Sequence, residues 1–195
     1  MVHSGDCGET CHPRLGRVSK ASAAIHALGE VDELNAFAGQ LQAALPTSCD
    51  GMKPVLLQVQ QTLFKVGCVL AGTDMGAAAS AIDVAQDDLE RCIEAYREEV
   101  GTLGHFLVPG GHAGACAAHV ARAVCRRAER AVVAACVPTE DAGSDAFASA
   151  LRYLNRLSDC FFEMARVVNF REGTPGLRGG GGSCTGAYSG MMSSE

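Results

Sequence analysis

No CxxC pair occurs among the ten cysteines of this chain, which removes the commonest zinc and dithiol signatures. Cys116, Cys125 and Cys136 lie among Ala and Val instead, where a free thiol serves as a small buried hydrophobe. Ten such cysteines fit a reducing, intracellular compartment. No run of 18 apolar residues is present, so no membrane span is expected. Neither a signal peptide nor an Arg- and Ser-rich leader is visible; a leader already removed stays compatible with this. An excess of positive charge is also missing. The formal net charge is −6, which argues against nucleic acid as a partner. GxxxxGK[ST] is absent, and so is any Ser/His/Asp or Cys/His set. The six histidines show no metal spacing, and the single E-x-x-H, Glu9 to His12, lacks the second copy a di-iron bundle needs. Cys7, Cys11 and His12 make at most a partial metal site without a fourth ligand. No internal repeat or strand pattern stands out.

What is present is helical. Within 195 residues, 48% of them apolar, there is room for one domain with a sizeable core. Val31, Leu34, Phe37, Ala38, Leu41 and Leu45 recur at helical spacing in a first helix. Pro46 to Gly51 breaks the chain, and "PVLLQVQQTLFKVGCVLAG" reads as a second helix ending near Gly72. Residues 73–82 read as loop, and Asp83 with Gln86 as a capping box opening a third helix, to about Val100. Pro109-Gly110-Gly111 is turn chemistry. A fourth helix is expected from about Ala115 to Cys136, with an apolar seam at Val120, Val124, Ala128 and Val132. After a turn at Pro138 to Gly143, a fifth runs from about Ser144 to Arg171, seamed by Leu151, Leu154, Leu157, Phe161, Met164 and Val168. The first 20 residues read as loop, and residues 173–195 as a Gly- and Ser-rich disordered tail. Five helices with short links predict an all-α, up-and-down bundle over residues 1–172.

The chemistry concentrates in four places. In "HVARAVCRRAER", Arg122, Arg126 and Arg130 stand four apart on one helical stripe, with Arg127 beside them. Like charges at that spacing cost a few tenths of a kcal/mol per pair. A solvated basic face relieved by Glu129 is one explanation. A polyanion clamp is the other, since Arg holds two phosphate oxygens with one planar fork. The last two helices contain no Lys; Arg122, Arg126, Arg127, Arg130, Arg152 and Arg156 are among their cations. Second, "SGDCGET", followed by Arg17 and Lys20, suits a loop whose backbone N–H groups wrap phosphate. Third, Asn155 and Asp159 share a helix face, with Arg156 three before Asp159. Such clusters often only fix helix register. Fourth, Asp32 and Glu33 are expected to open a helix, where the macrodipole favours acids. The chain thus offers phosphate binding without a protein nucleophile, so a nucleophile would arrive with a substrate.

"SGDCGET" with "RVSK", "VDELN", "FLVPGG", "HVARAVCRRAER" and "YLNRLSD" occur in that order from about Ser4 to Glu172. Together they closely resemble the ATP:cob(I)alamin adenosyltransferases of the propanediol-utilisation type. The resemblance implies a five-helix bundle that assembles as a homotrimer, with ATP between adjacent subunits. It implies transfer of the 5′-deoxyadenosyl group of ATP to cob(I)alamin with release of triphosphate, and Mg²⁺ sharing the triphosphate charge. No resident protein-bound metal is implied. The family's ATP loop falls on His3, Ser4, Gly5, Thr10 and Cys11, with Lys20 as a triphosphate contact. Arg126, Arg127, Ala128, Glu129 and Arg130 of "RRAER", and Asn155 of "NRLSD", match further nucleotide contacts. Catalytic roles fall on Arg126 and on Arg122 with Asp32, a pair that meets across the subunit interface. Phe106 matches the aromatic that walls the lower face of the corrin. Val2 departs from the family's Thr, and Cys11 stands where a hydroxyl is common. That altered loop is the feature that would favour a non-catalytic cobalamin carrier or chaperone; a nucleotide-sensing regulator is a weaker alternative. A reductase and an adenosylcobalamin-dependent enzyme are the implied protein partners. The implied location is the cytoplasm, or the mitochondrial matrix in a eukaryote.

Overall fold

The computed structural model describes residues 5–104, 106–136 and 145–174. His3, Ser4, Val2, the turn at 138–143 and the tail from 175 lie outside them. The chain opens with a hairpin of β1 (Glu9–His12) and β2 (Gly16–Ser19), antiparallel, with Thr10 opposite Val18 and Cys11 opposite Arg17. Loop was expected here. Four-residue strands carry too little alternation to register in the sequence. Five α-helices follow among the described residues: α1 (Ala23–Ala44), α2 (Lys53–Ala71), α3 (Met75–Val100), α4 (Ala113–Cys136) and α5 (Asp145–Arg171). A short 3₁₀ turn, Thr47–Met52, fills the break before α2.

Two boundaries differ from expectation. α3 begins at Met75 rather than Asp83, because "GAAASA" is rich in the best helix former. Asp83 is therefore not a cap, and its carboxylate accepts from Arg152 of α5 at 3.2 Å. α1 begins at Ala23, so Asp32 and Glu33 lie in mid-helix and the macrodipole does not account for them. α2 ends as the sequence predicts. Gly72 takes φ +72°, which L side chains rarely adopt, and a Cβ there would meet the Arg14 side chain at 2.7 Å. The hairpin turn is thus laid directly against the end of α2.

The order of the helices in space is not their order in sequence. α2 packs on α1, α1 on α4, α4 on α5, α5 on α3, and α3 on α2. This closes a ring in which α5 stands between α3 and α4. The link from α3 to α4, residues 101–112, must therefore cross α5. The core inside the ring includes Leu34, Leu41, Leu63, Ile82, Tyr153, Leu154, Leu157, Phe161 and Met164, each fully buried. Thr47–Ala71 is long and apolar enough to cross a membrane by composition alone. Yet Leu56, Val59, Leu63, Val66 and Leu70 spend that apolarity on the core.

The seam of α4 also corrects an expectation. Ala118, Ala121, Cys125, Ala128 and Val132 are buried, at alternating steps of three and four, while Val120 is 45% exposed. A row at i, i+4 turns by about 40° per step on a helix of 3.6 residues per turn, so Val120 rotates out of the seam. Small residues on the buried face let α4 come close to both α1 and α5. Cys125 and Cys136 are buried as expected, and Cys125 Sγ donates to the Leu154 carbonyl at 3.2 Å. Cys116 is exposed.

Candidate active site

The same rotation sorts the arginine stripe. Arg122 and Arg126 are half-buried beside the seam, and Arg130 is exposed. Arg122 Nε is buried without a hydrogen-bond partner. Burial, and after it the charge of Arg126, pull the Arg122 pKa below its ordinary value. No carboxylate of the described residues pairs with either guanidinium. Glu129 holds Asn155 instead, accepting from Nδ2 at 3.3 Å across the α4–α5 contact. Asp159 lies near enough to Arg126 to feel its charge, yet burial outweighs Arg156, Arg97 and Arg126 and raises its pKa. Arg156 pairs with Asp159 at 3.3 Å.

Arg127 points elsewhere. Its guanidinium is gripped by Glu30, at 2.5 Å, and by Glu33, both on α1. This explains Glu33 and makes Arg127 a tie between α1 and α4. Asp32, by contrast, is exposed and makes no ion pair among the described residues. It sits at a cavity of about 280 Å³ between α1 and α2, with Leu28, Asn35, Phe64 and Cys68 in the lining. Asp32 and Arg122 do not meet within one chain.

His119, one turn before Arg122, was not singled out by its sequence. It is 8% exposed, its Nδ1 has no partner, and its ring meets Phe162 edge-on at 6.1 Å. Burial first, then Arg122, hold its pKa below 6.5. The native state therefore refuses a proton that the unfolded chain accepts. Stability to urea should fall as pH drops from 6.5 towards the lowered value, by at most about 1.4 kcal/mol per pH unit. His119→Gln should remove that slope. Equal slopes in both proteins would mean that the imidazole titrates as freely folded as unfolded.

The hairpin presents the other charged group. Lys20 Nζ donates to the Gly5 carbonyl at 2.7 Å, and Lys20 N–H to the Gly8 carbonyl at 2.8 Å. Arg17 pairs with Glu9 across the strands. Thr10 is half-buried and Cys11 exposed. His12 is 1% exposed, and its Nδ1 accepts from the backbone N–H groups of Arg14 and Leu15, at 3.3 and 3.2 Å. That nitrogen holds the turn and is not available to a metal. Among the described residues no group of three or more His, Cys, Asp or Glu is placed to hold a metal ion.

Phe106 and Val108 stand out on the 101–112 crossing, 54% and 43% exposed. Two residues that the sequence did not flag hold this crossing: Arg166 and Asn169 of α5. Asn169 could have been noticed as a polar residue set into the apolar "MARVVNF" run.

Two guanidiniums with no carboxylate partner among the described residues, and a hairpin-borne lysine, give this helical bundle the cations of a protein that binds an anionic substrate. The comparisons make the class specific. The family model for cobalamin adenosyltransferase matches residues 1–168. A corrinoid adenosyltransferase of Bacillus subtilis is 39% identical over 172 residues, covering 87% of this chain and 86% of the relative. A cobalamin adenosyltransferase of Cupriavidus metallidurans is 39% identical over 183 residues, covering 93% and 90%. Among solved structures, a phenylalanine-to-alanine variant of the PduO-type ATP:corrinoid adenosyltransferase from Lactobacillus reuteri, complexed with cobalamin and ATP, is similar. Its TM-score is 0.79 and its identity 32%, covering 90% of this chain and 96% of that one. The chain belongs to the cobalamin adenosyltransferase family, and its activity is adenosyl transfer from ATP to a corrinoid.

Proposed function

We propose that the reaction runs at a site shared by two subunits, in which Arg126 and Lys20 hold the triphosphate of ATP and the Phe106 crossing receives the corrin. The observation that carries this is Arg122: a half-buried guanidinium with an unpartnered Nε, one turn from Arg126. A buried cation is tolerated only when paired. Asp32 is an exposed acid with no ion pair among the described residues, and it lies at the α1–α2 cavity rather than beside α5. Pairing Asp32 of one subunit with Arg122 of the next joins two unlike patches, a heterologous contact that closes into a ring. Phe64 and Leu57 on α2, 67% and 51% exposed, supply apolar surface on the Asp32 side. The proposed assembly is a homotrimer.

At this site the cobalt of cob(I)alamin attacks C5′ with its own electron pair. The Co–C bond forms, the C5′–O bond breaks, and the pair leaves on triphosphate. The protein's part is to align C5′ with cobalt and to stabilise the departing charge. Arg126 and Arg130 line the stripe, with Arg130 at its solvent end; Lys20 approaches from the hairpin. Arg122 is a positioning residue, since its own charge is spent on Asp32. Arg127, already held by Glu30 and Glu33, supports α4 and would reach nucleotide only by sharing that grip. Glu129 offers the hard carboxylate oxygen that Mg²⁺ takes beside phosphates, and so fits that ion. Mg²⁺ bound there would share the triphosphate charge. His3 and Ser4 are proposed to complete the nucleotide loop with Gly5, Thr10 and Cys11. A reductase that supplies cob(I)alamin and an enzyme that consumes adenosylcobalamin complete the setting, in the cytoplasm or, in a eukaryote, the mitochondrial matrix.

An anaerobic assay with ATP, Mg²⁺ and chemically reduced cob(I)alamin tests the reading, followed through the cobalt spectrum. Two further outcomes are expected. Light scattering at micromolar concentration should give three times the chain mass; a monomer would count against the shared site. Asp32→Arg or Arg122→Asp alone should weaken assembly or ATP binding, and the double exchange should recover part of the loss. Coupled residues show interaction energies of about 0.5–3 kcal/mol, so strictly additive effects would place the two residues apart.

A further inference from the structure

We propose that Asn169, backed by Arg166, is a positioning residue that fixes where the 101–112 crossing presents Phe106 and Val108. The inference rests on the reading of Phe106 as a corrin wall. The crossing arches over α5, and one turn of α5 grips it at both ends. At the start, Arg166 Nη2 donates to the Gly101 carbonyl at 2.6 Å, while Arg166 Nη1 is held by the buried Glu163 at 2.6 Å. At the far end, the His112 N–H donates to Asn169 Oδ1 at 2.9 Å, and Asn169 Nδ2 donates to the Gly110 carbonyl at 2.9 Å. Asn169 is 7% exposed, so both ends of its amide are used inside the protein. Gly111 lies against it with φ +101°, and a Cβ there would fall 2.2 Å from Asn169 Oδ1. The contact thus requires glycine twice over, by conformation and by space.

The same amide oxygen and the Asn169 backbone carbonyl also reach Thr174. Thr174 Oγ1 donates to Asn169 Oδ1 at 3.2 Å, and Thr174 N–H to the Asn169 carbonyl at 2.9 Å. Between these anchors, Phe106 and Val108 leave about half of their surface exposed, on either side of the half-buried Leu107. The anchors fix where both ends of that stretch leave α5. A loop this open, tied so closely at both ends, is built to hold an apolar face still.

The test uses the full-length protein with MgATP and cob(II)alamin, read by electron paramagnetic resonance for the four-coordinate fraction. Asn169→Ala and Gly111→Ala should each lower that fraction about tenfold or more, since a displacement near 1 Å at a reacting centre can cost about a hundredfold. ATP affinity and transfer to pre-reduced cob(I)alamin should stay near wild type, a split that general loss of fold would not give. A folded variant of either kind with a wild-type fraction overturns the proposal. Hydrogen exchange on the unmodified protein gives a reading that needs no variant. The His112 amide, held by Asn169, should exchange about tenfold or more slowly than the same residue in an unstructured peptide. Equal exchange overturns the proposal as well. Phe106→Ala separates the two ideas: if it leaves the four-coordinate fraction intact, the corrin-wall reading fails; if it lowers the fraction while the anchor variants do not, only the anchoring role fails.

Discussion

Replacing Arg126 by lysine should damage adenosyl transfer nearly as much as replacing it by alanine. The position explains why a charge alone does not suffice. Arg126 is half-buried on α4, one turn after Arg122, with no carboxylate bound to it among the described residues. Asp159 is near enough to feel it but keeps a raised pKa, so burial rather than Arg126 dominates that carboxyl. The fork of Arg126 is therefore free for a substrate. Guanidinium holds two phosphate oxygens in one plane, where an ammonium offers a point charge on a flexible stem. Removing a preorganised contact to charge that develops in the transition state costs roughly 2–4 kcal/mol, or about 30- to 1000-fold in kcat/KM. Stability should hardly change, because no ion pair is lost. An Arg126→Lys enzyme that keeps most of the wild-type kcat/KM would return the stripe to an ordinary basic face.

The contrast with Arg127 shows what could be read from the sequence and what could not. Both arginines belong to one run, and spacing alone puts them on the same short stretch of helix. Helix spacing says which residues share a face, but not what the face meets. That depends on α1 lying beside α4, a contact between residues roughly a hundred positions apart, which gives Arg127 to Glu30 and Glu33. The long apolar seams of α1 and α5 were legible because their periodicity runs over many turns. The early start of α3 was not, since alanine-rich "GAAASA" has little amphipathic signal. Nor was the ring order of the helices, which short links leave open. Asn169 stayed hidden for the same reason: its role appears only once the 101–112 crossing is known to pass over α5. With Asp32 in mid-helix, the macrodipole no longer accounts for it.

Phe106→Ala should slow the reaction that starts from cob(II)alamin while sparing transfer to cob(I)alamin supplied already reduced. Two roles are open to a phenylalanine in a loop, and they predict different losses. A packing plug truncated to alanine costs about 3–5 kcal/mol of stability. Phe106 is 54% exposed, so about half of that packing is missing, and the change in stability should be about 1 kcal/mol. On the proposed reading, its value lies in the corrin it meets. Set against the lower face of a corrin, an apolar ring keeps an axial donor away from cobalt. Without that donor, the orbital that accepts the electron is not raised, and Co(II) is easier to reduce. Alanine opens the face to water, and the coupled rate should fall about tenfold or more, equivalent to about 1.4 kcal/mol on the barrier. Histidine should be worse than alanine, because imidazole brings its own ligand to the metal. Electron paramagnetic resonance of cob(II)alamin with MgATP reads the coordination directly. Four-coordinate signal is expected with the wild type, less with Phe106→Ala, and least with Phe106→His. Only five-coordinate signal from the wild type would remove the role assigned to Phe106, whatever the variants did to the rate.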